Sequence, residues 1–73
     1  MKHVRIRRCM VNPNIRNHTD TIVSELRKDP NLDLKVVDGA KGEFTVLVDG
    51  RPVSQLTSEV LPTVQEVVTL VRN

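Results

Sequence analysis

Cys9 is the single cysteine of this chain and sits in the run Arg7-Arg8-Cys9-Met10-Val11-Asn12-Pro13. A thiol is nucleophilic as the thiolate, and its pKa falls when a helix N-terminus or cationic side chains stand nearby. Both conditions are in reach: Asn12-Pro13 reads as a helix start, and Arg7, Arg8 and Arg16 are close in sequence. Such a thiolate attacks a disulfide to give a mixed disulfide, which a second thiol must resolve. The candidate site is therefore Cys9 as thiol nucleophile, with Arg7, Arg8, Asn12 and Arg16 as binding residues around it. The same residue also reads as a small apolar core group, because unpaired cysteines are among the most buried residue types.

Other chemistry finds little support. His3, Cys9 and His18 are the only imidazole or thiol ligands, separated by six and nine positions, a spacing of no local zinc motif. A metal site would need a second chain, and no metal or cofactor is expected. His18 reads as a surface or boundary histidine. Asp38-Gly39-Ala40-Lys41-Gly42 lacks the phosphate-loop pattern, and neither paired carboxylates nor a Ser-His-Asp arrangement is visible. Phe44 is the only aromatic residue, which disfavours a stacking surface for nucleic acid. Helix one offers Arg16, Arg27 and Lys28 diluted by Asp20, Glu25 and Asp29, a poor face for a DNA groove.

The elements that must position Cys9 follow from periodicity. His3-Val4-Arg5-Ile6-Arg7 alternates polar and apolar, as a half-buried strand does. Asn12 can cap the free N–H groups of a helix that Pro13 begins. Ile15, Thr19, Ile22, Val23 and Leu26 recur at helical spacing, and Asp29-Pro30 ends that helix. Leu32, Leu34 and Val36 alternate with Asp33 and Lys35 in a second strand, so strand, helix and strand suggest a right-handed parallel crossover. A loop over residues 38–42 follows, with Gly39 and Gly42 able to take positive φ. Phe44, Val46 and Val48 lead through Asp49-Gly50 into Arg51-Pro52-Val53-Ser54-Gln55, an antiparallel hairpin whose Pro52 belongs on an edge. Leu61, Val64, Val67, Val68 and Val71 mark a second helix, opened by the capping box Thr63-Val64-Gln65-Glu66. Its many β-branched residues favour strands, so burial must override propensity.

The order β-α-β-β-β-α, with Gly42-Glu43-Phe44-Thr45-Val46-Leu47-Val48-Asp49-Gly50-Arg51-Pro52-Val53, then Pro62 and a terminal helix carrying Glu66, resembles the Rdx (selenoprotein W) family of small thioredoxin-like proteins. The resemblance spans nearly the whole chain. It implies one thioredoxin-like domain over residues 1–73, of α/β (α+β) class, with a four-stranded mixed sheet in the order 2-1-3-4 and two helices. A meander of strands two, three and four is the competing topology. The family carries C-x-x-C or C-x-x-selenocysteine after its first strand, and Cys9 corresponds to the first position. Here the motif reads Cys9-Met10-Val11-Asn12, so the resolving residue is replaced by Asn12 and a dithiol cycle is ruled out. No proline precedes Phe44, where many thioredoxin-like proteins place a cis-proline.

Composition bounds the rest. Seventy-three residues form one small domain, which buries only about 60% of the surface its unfolded chain exposes. With no apolar run of membrane length and no signal-peptide core at the start, the expected location is the cytoplasm, where a lone thiol stays reduced. The net charge of +2 is uneven: Lys2, Arg5, Arg7, Arg8 and Arg16 fall in residues 1–16 with no acid, leaving the remainder net acidic. That basic patch can attract acidic protein surfaces, glutathione carboxylates or nucleic acid, or be a solvated face. The expected function is thiol-redox or mixed-disulfide exchange with a partner protein or glutathione. The alternatives are a non-catalytic interaction module using the basic patch and, behind it, a nucleic-acid binder. A monomer or weak homodimer is expected, with no membrane partner.

Overall fold

A computed structural model describes residues 1–56 and 60–72. The central strand β1 (Lys2–Arg8) alternates because Val4 and Ile6 are fully buried on one face while Arg5 and Arg7 point to the other. Cys9 follows it directly, and Asn12 then caps helix α1 (Pro13–Leu26): its side-chain oxygen accepts the N–H groups of Asn14 at 2.9 Å and Ile15 at 3.2 Å. The stripe Ile15, Thr19, Ile22, Val23 and Leu26 is buried as its spacing requires. Thr19 satisfies its hydroxyl by donating to the Ile15 carbonyl at 2.8 Å. The helix stops at Leu26, short of Asp29-Pro30; Lys28 and Asp29 donate back to Glu25 and Leu26 in a tightened last turn.

Strand β2 (Leu32–Asp38) runs parallel to β1, with Lys2 opposite Leu32 and Arg8 opposite Asp38. The chain then crosses the end of β1 and enters β3 (Phe44–Val48), which pairs antiparallel with β1 on its other side. Asp49 and Gly50 both take positive φ, 52° and 85°, the signature of a type I′ turn, and the chain returns as β4 (Arg51–Gln55). The sheet order is β2-β1-β3-β4, which excludes the meander. Pro52 sits on the edge strand as expected, beside a register shift between Val46 and Leu47.

Helix α2 (Val64–Arg72) opens with the reciprocal cap foreseen from sequence. Glu66 donates its N–H to the Thr63 hydroxyl at 3.1 Å and accepts the Thr63 N–H at 3.3 Å. Burial of Val67, Val68 and Val71 holds the helix despite its β-branched composition, and the Lys2 ammonium donates to the Val71 carbonyl at 2.7 Å at its far end. Both helices pack on the face carrying Val4, Ile6, Phe44 and Val46, so the core lies between one helical layer and one face of the sheet. No element among the described residues packs over the face carrying His3, Arg5 and Arg7. No helix among the described residues is long and apolar enough to cross a membrane.

Candidate functional site

The site is assembled where β1 ends. Two hydrogen bonds clip the crossing loop, residues 39–43, to that end: Gly39 donates its N–H to the Arg8 carbonyl at 2.8 Å, and Cys9 donates its own to the Glu43 carbonyl at 2.7 Å. The two glycines of the loop do different jobs. Gly42 takes the positive φ, 77°, that sequence allowed for both. Gly39 does not, and is needed for closeness instead: a Cβ there would stand 3.2 Å from backbone atoms of Arg7 and Arg8 and 2.7 Å from Glu43 Oε1.

This loop lays the Gly42 N–H on the Cys9 thiol. That hydrogen bond is the main cause holding the Cys9 pKa below its ordinary value of 9.0. Desolvation of the covered thiol works the other way and is outweighed. The N–H groups of Val11 and Asn12, at the entry to α1, and the Lys41 charge also favour the thiolate. Cys9 is only 2% exposed and belongs to the core cluster, so it packs as a small apolar group while the N–H groups around it lower its pKa. Beside it opens a cleft of about 450 Å³ lined by Asn12, Asn14, Ile15, Gly42, Leu56 and Leu61. Met10 and Val11, which follow Cys9 in the chain, are exposed. Two of the three residues whose N–H groups face the thiol, Asn12 and Gly42, thus also wall the cleft.

The arginines are placed elsewhere. Arg7, on the open face of the sheet, lies 3.5 Å from Glu43, and Arg8 is 3.0 Å from Asp38. Arg16 is exposed on α1 and pairs with no carboxylate among the described residues; its backbone N–H donates to the Asn12 carbonyl. The cation that acts on the thiol is Lys41, which the sequence pattern did not single out. Asn12 acts through two different groups: its side chain caps α1 while its N–H faces Cys9.

Glu43 was also missed. One carboxylate oxygen accepts the Ala40 N–H at 2.7 Å; the other accepts the Thr45 hydroxyl at 3.1 Å and meets Arg7. The Ala40 bond is the largest cause of its lowered pKa, opposed by desolvation and aided by Thr45 and Arg7. Glu43 therefore braces the loop that carries Gly42. The only hint in the sequence was a carboxylate three residues after Ala40 in a glycine-bearing loop, a pattern shared by many solvated turns.

His18 lies at the boundary its helical position implied. It is half-buried, hydrogen-bonded through Nε2 to the Pro62 carbonyl, with its ring 6.2 Å from that of Phe44 in an edge contact. His3 pairs with Asp33 on the open face, so His3, Cys9 and His18 do not converge, and no metal-ligating cluster exists among the described residues. The basic stretch is partly neutralised there: Asp33 accepts from His3 at 2.9 Å and lies 3.5 Å from Arg5. A larger cleft of about 520 Å³ shares Leu61 and runs between β4 and the start of α2, but the carboxylate that lines it, Glu66, is engaged in its cap. Comparison with protein-family models, curated proteins and solved structures finds no match to this chain.

Proposed function

We propose that this chain is a thioredoxin-like module of the Rdx type that works through one thiol, forming mixed disulfides between Cys9 and a partner protein or glutathione. The observation that carries this reading is the set of backbone N–H groups from Gly42, Val11 and Asn12 directed at one sulfur beside an open cleft. A purely packing cysteine needs no such donors. In the exchange the Cys9 thiolate attacks one sulfur of a disulfide. A new S–S bond forms to Cys9, the old one breaks, and the leaving thiolate takes a proton from water. The chain carries no second thiol, so an external one such as glutathione must attack the mixed disulfide and regenerate Cys9. Asn12, capping the helix where a resolving cysteine would stand, makes the cycle monothiol.

The test is the rate of Cys9 alkylation against pH in the folded protein, with glutathione disulfide as the second probe. The expected results are a titration midpoint clearly below 9.0 and a mass increase of one glutathionyl group reversed by reduced glutathione. A thiol that titrates at its ordinary value, or reacts only once the chain unfolds, overturns the reading.

A further inference from the structure

The sheet has two edges, and only one is blunted. On β4, Pro52 and the register shift at Val46/Leu47 break the row of backbone donors. On β2 the pairing with β1 runs unbroken from Leu32 to Asp38, with neither proline nor bulge. The phase of that ladder is set by two bonds, Lys2 N–H to the Asn31 carbonyl and Gly39 N–H to the Arg8 carbonyl. In a parallel ladder alternate residues bond inward, so Asp33, Lys35 and Val37 face β1 with their backbone groups, while Leu32, Leu34 and Val36 present theirs to the free edge. Leu32 N–H has a long contact, 3.4 Å, to the Asp29 carbonyl. No described residue bonds the edge-facing groups of Leu34 and Val36.

We propose that β2 is a self-association edge, where a second copy of this chain adds its own β2 antiparallel about a two-fold axis through Leu34. In that register Leu34 opposes its own copy and Leu32 opposes Val36, each as a hydrogen-bonded pair through the groups already turned outward. Asp33 then stands opposite Lys35 of the second copy, twice, in the closer non-hydrogen-bonded positions on the open face. The charges select this register: centring on Asp33 or on Lys35 would set like charges opposite one another. Lys35 is exposed and has no carboxylate within ion-pair distance among the described residues, though its field already reaches Asp33 of its own strand. Val36 is 36% exposed, and with the half-buried Leu32 and Leu34 it forms an apolar row at the rim of the helical layer that a second copy would cover. The two four-stranded sheets would become one.

Sedimentation velocity of the full chain over a concentration series tests this. The wild type is expected to move toward dimer as concentration rises. Lys35→Asp and Asp33→Lys are each expected to weaken association at least about tenfold, because both cross-strand pairs become like-charged. Mixing the two variants is expected to restore it, since every pair is then opposite in charge. Asp33→Lys also removes contacts to His3 and Arg5. Should it fail to fold, Val36→Pro takes its place, deleting an edge-facing N–H without touching the ladder to β1, and is expected to weaken the dimer equally. A wild type that stays monomeric at millimolar concentration, or a dimer indifferent to Lys35→Asp, overturns the proposal.

Discussion

The two ends of β1 solve the same electrostatic problem with different parts of the chain. At its start, side chains pair with side chains: His3 and Arg5 converge on Asp33. At its finish the stabilising groups are main-chain N–H groups, aimed at Cys9 by a loop and a helix entry. The first arrangement is exposed, screened by water and tolerant of change. The second depends on where the backbone runs, so glycines carry it, and their replacement moves everything downstream.

The largest expected effect follows from the closest approach. Gly39→Val places a branched side chain against the backbone of Arg7 and Arg8, which cannot yield as the Glu43 carboxylate could. The chain should lose about 2 to 3 kcal/mol of stability, as overpacked sites do, and the loop carrying Gly42 should lift from Cys9. Urea unfolding measures the first and thiol titration the second. A loss below about 0.5 kcal/mol would show that the loop is not clamped at Gly39. For comparison, His3→Gln at the other end should change stability by no more than about 0.5 kcal/mol.

Gly42→Ala is the sharper probe because it has room. Nothing lies within 4 Å of the added Cβ, so only the positive φ opposes it, at about 1 to 2 kcal/mol. Relaxing that φ turns the N–H off the sulfur, so the Cys9 pKa should rise toward its ordinary value while the fold persists. Arg7→Gln is the control, and should leave the thiol titration where it is. If instead Arg7→Gln raises the thiol pKa and Gly42→Ala does not, the side chains and not the backbone set it.

This contrast also explains what could be read from sequence. The alternation of β1, the stripe of α1, the Asn12 cap, the Asp49-Gly50 turn and the edge position of Pro52 all record side-chain periodicity or turn chemistry, and each appears in the fold. Strand β2 forms where its pattern placed it, but at the sheet edge its burial does not alternate: it passes from half-buried at Leu32, Asp33 and Leu34 to exposed from Lys35 onward. Cys9 was found because a lone thiol is conspicuous. Its surroundings were not legible: Arg7 and Arg8 are turned to Glu43 and Asp38, because alternation along β1 sends Arg7 to the open face and Arg8 to the helical face, where Asp38 stands opposite it on β2. The N–H of Gly42 comes from more than thirty residues away, and any residue but proline has one. No residue type announces such a donor, and Gly39 announces only that something must come close.

The smallest effect separates the two ends by pH. Asp33 is held below its ordinary 3.8 first by the His3 hydrogen bond, against desolvation, and then by the charges of Arg5 and Lys35. Its contribution is complete above 3.8 and is lost as pH falls through the folded-state value, a limb it shares with Glu43, whose ordinary value is 4.5. Cys9 is lowered from 9.0, so between its folded value and 9.0 the native thiol has released a proton that the unfolded one still holds. Unfolding then takes up a proton, and stability rises with pH across that window. Urea midpoints of the reduced protein should therefore climb twice, once in acid and once toward mild alkali. Asp33→Asn should shrink only the acid limb, leaving the part that Glu43 supplies, and Cys9→Ser should flatten only the alkaline one. An alkaline limb that survives Cys9→Ser would place the titrating group elsewhere and leave the N–H groups at the end of β1 with no thiolate to stabilise.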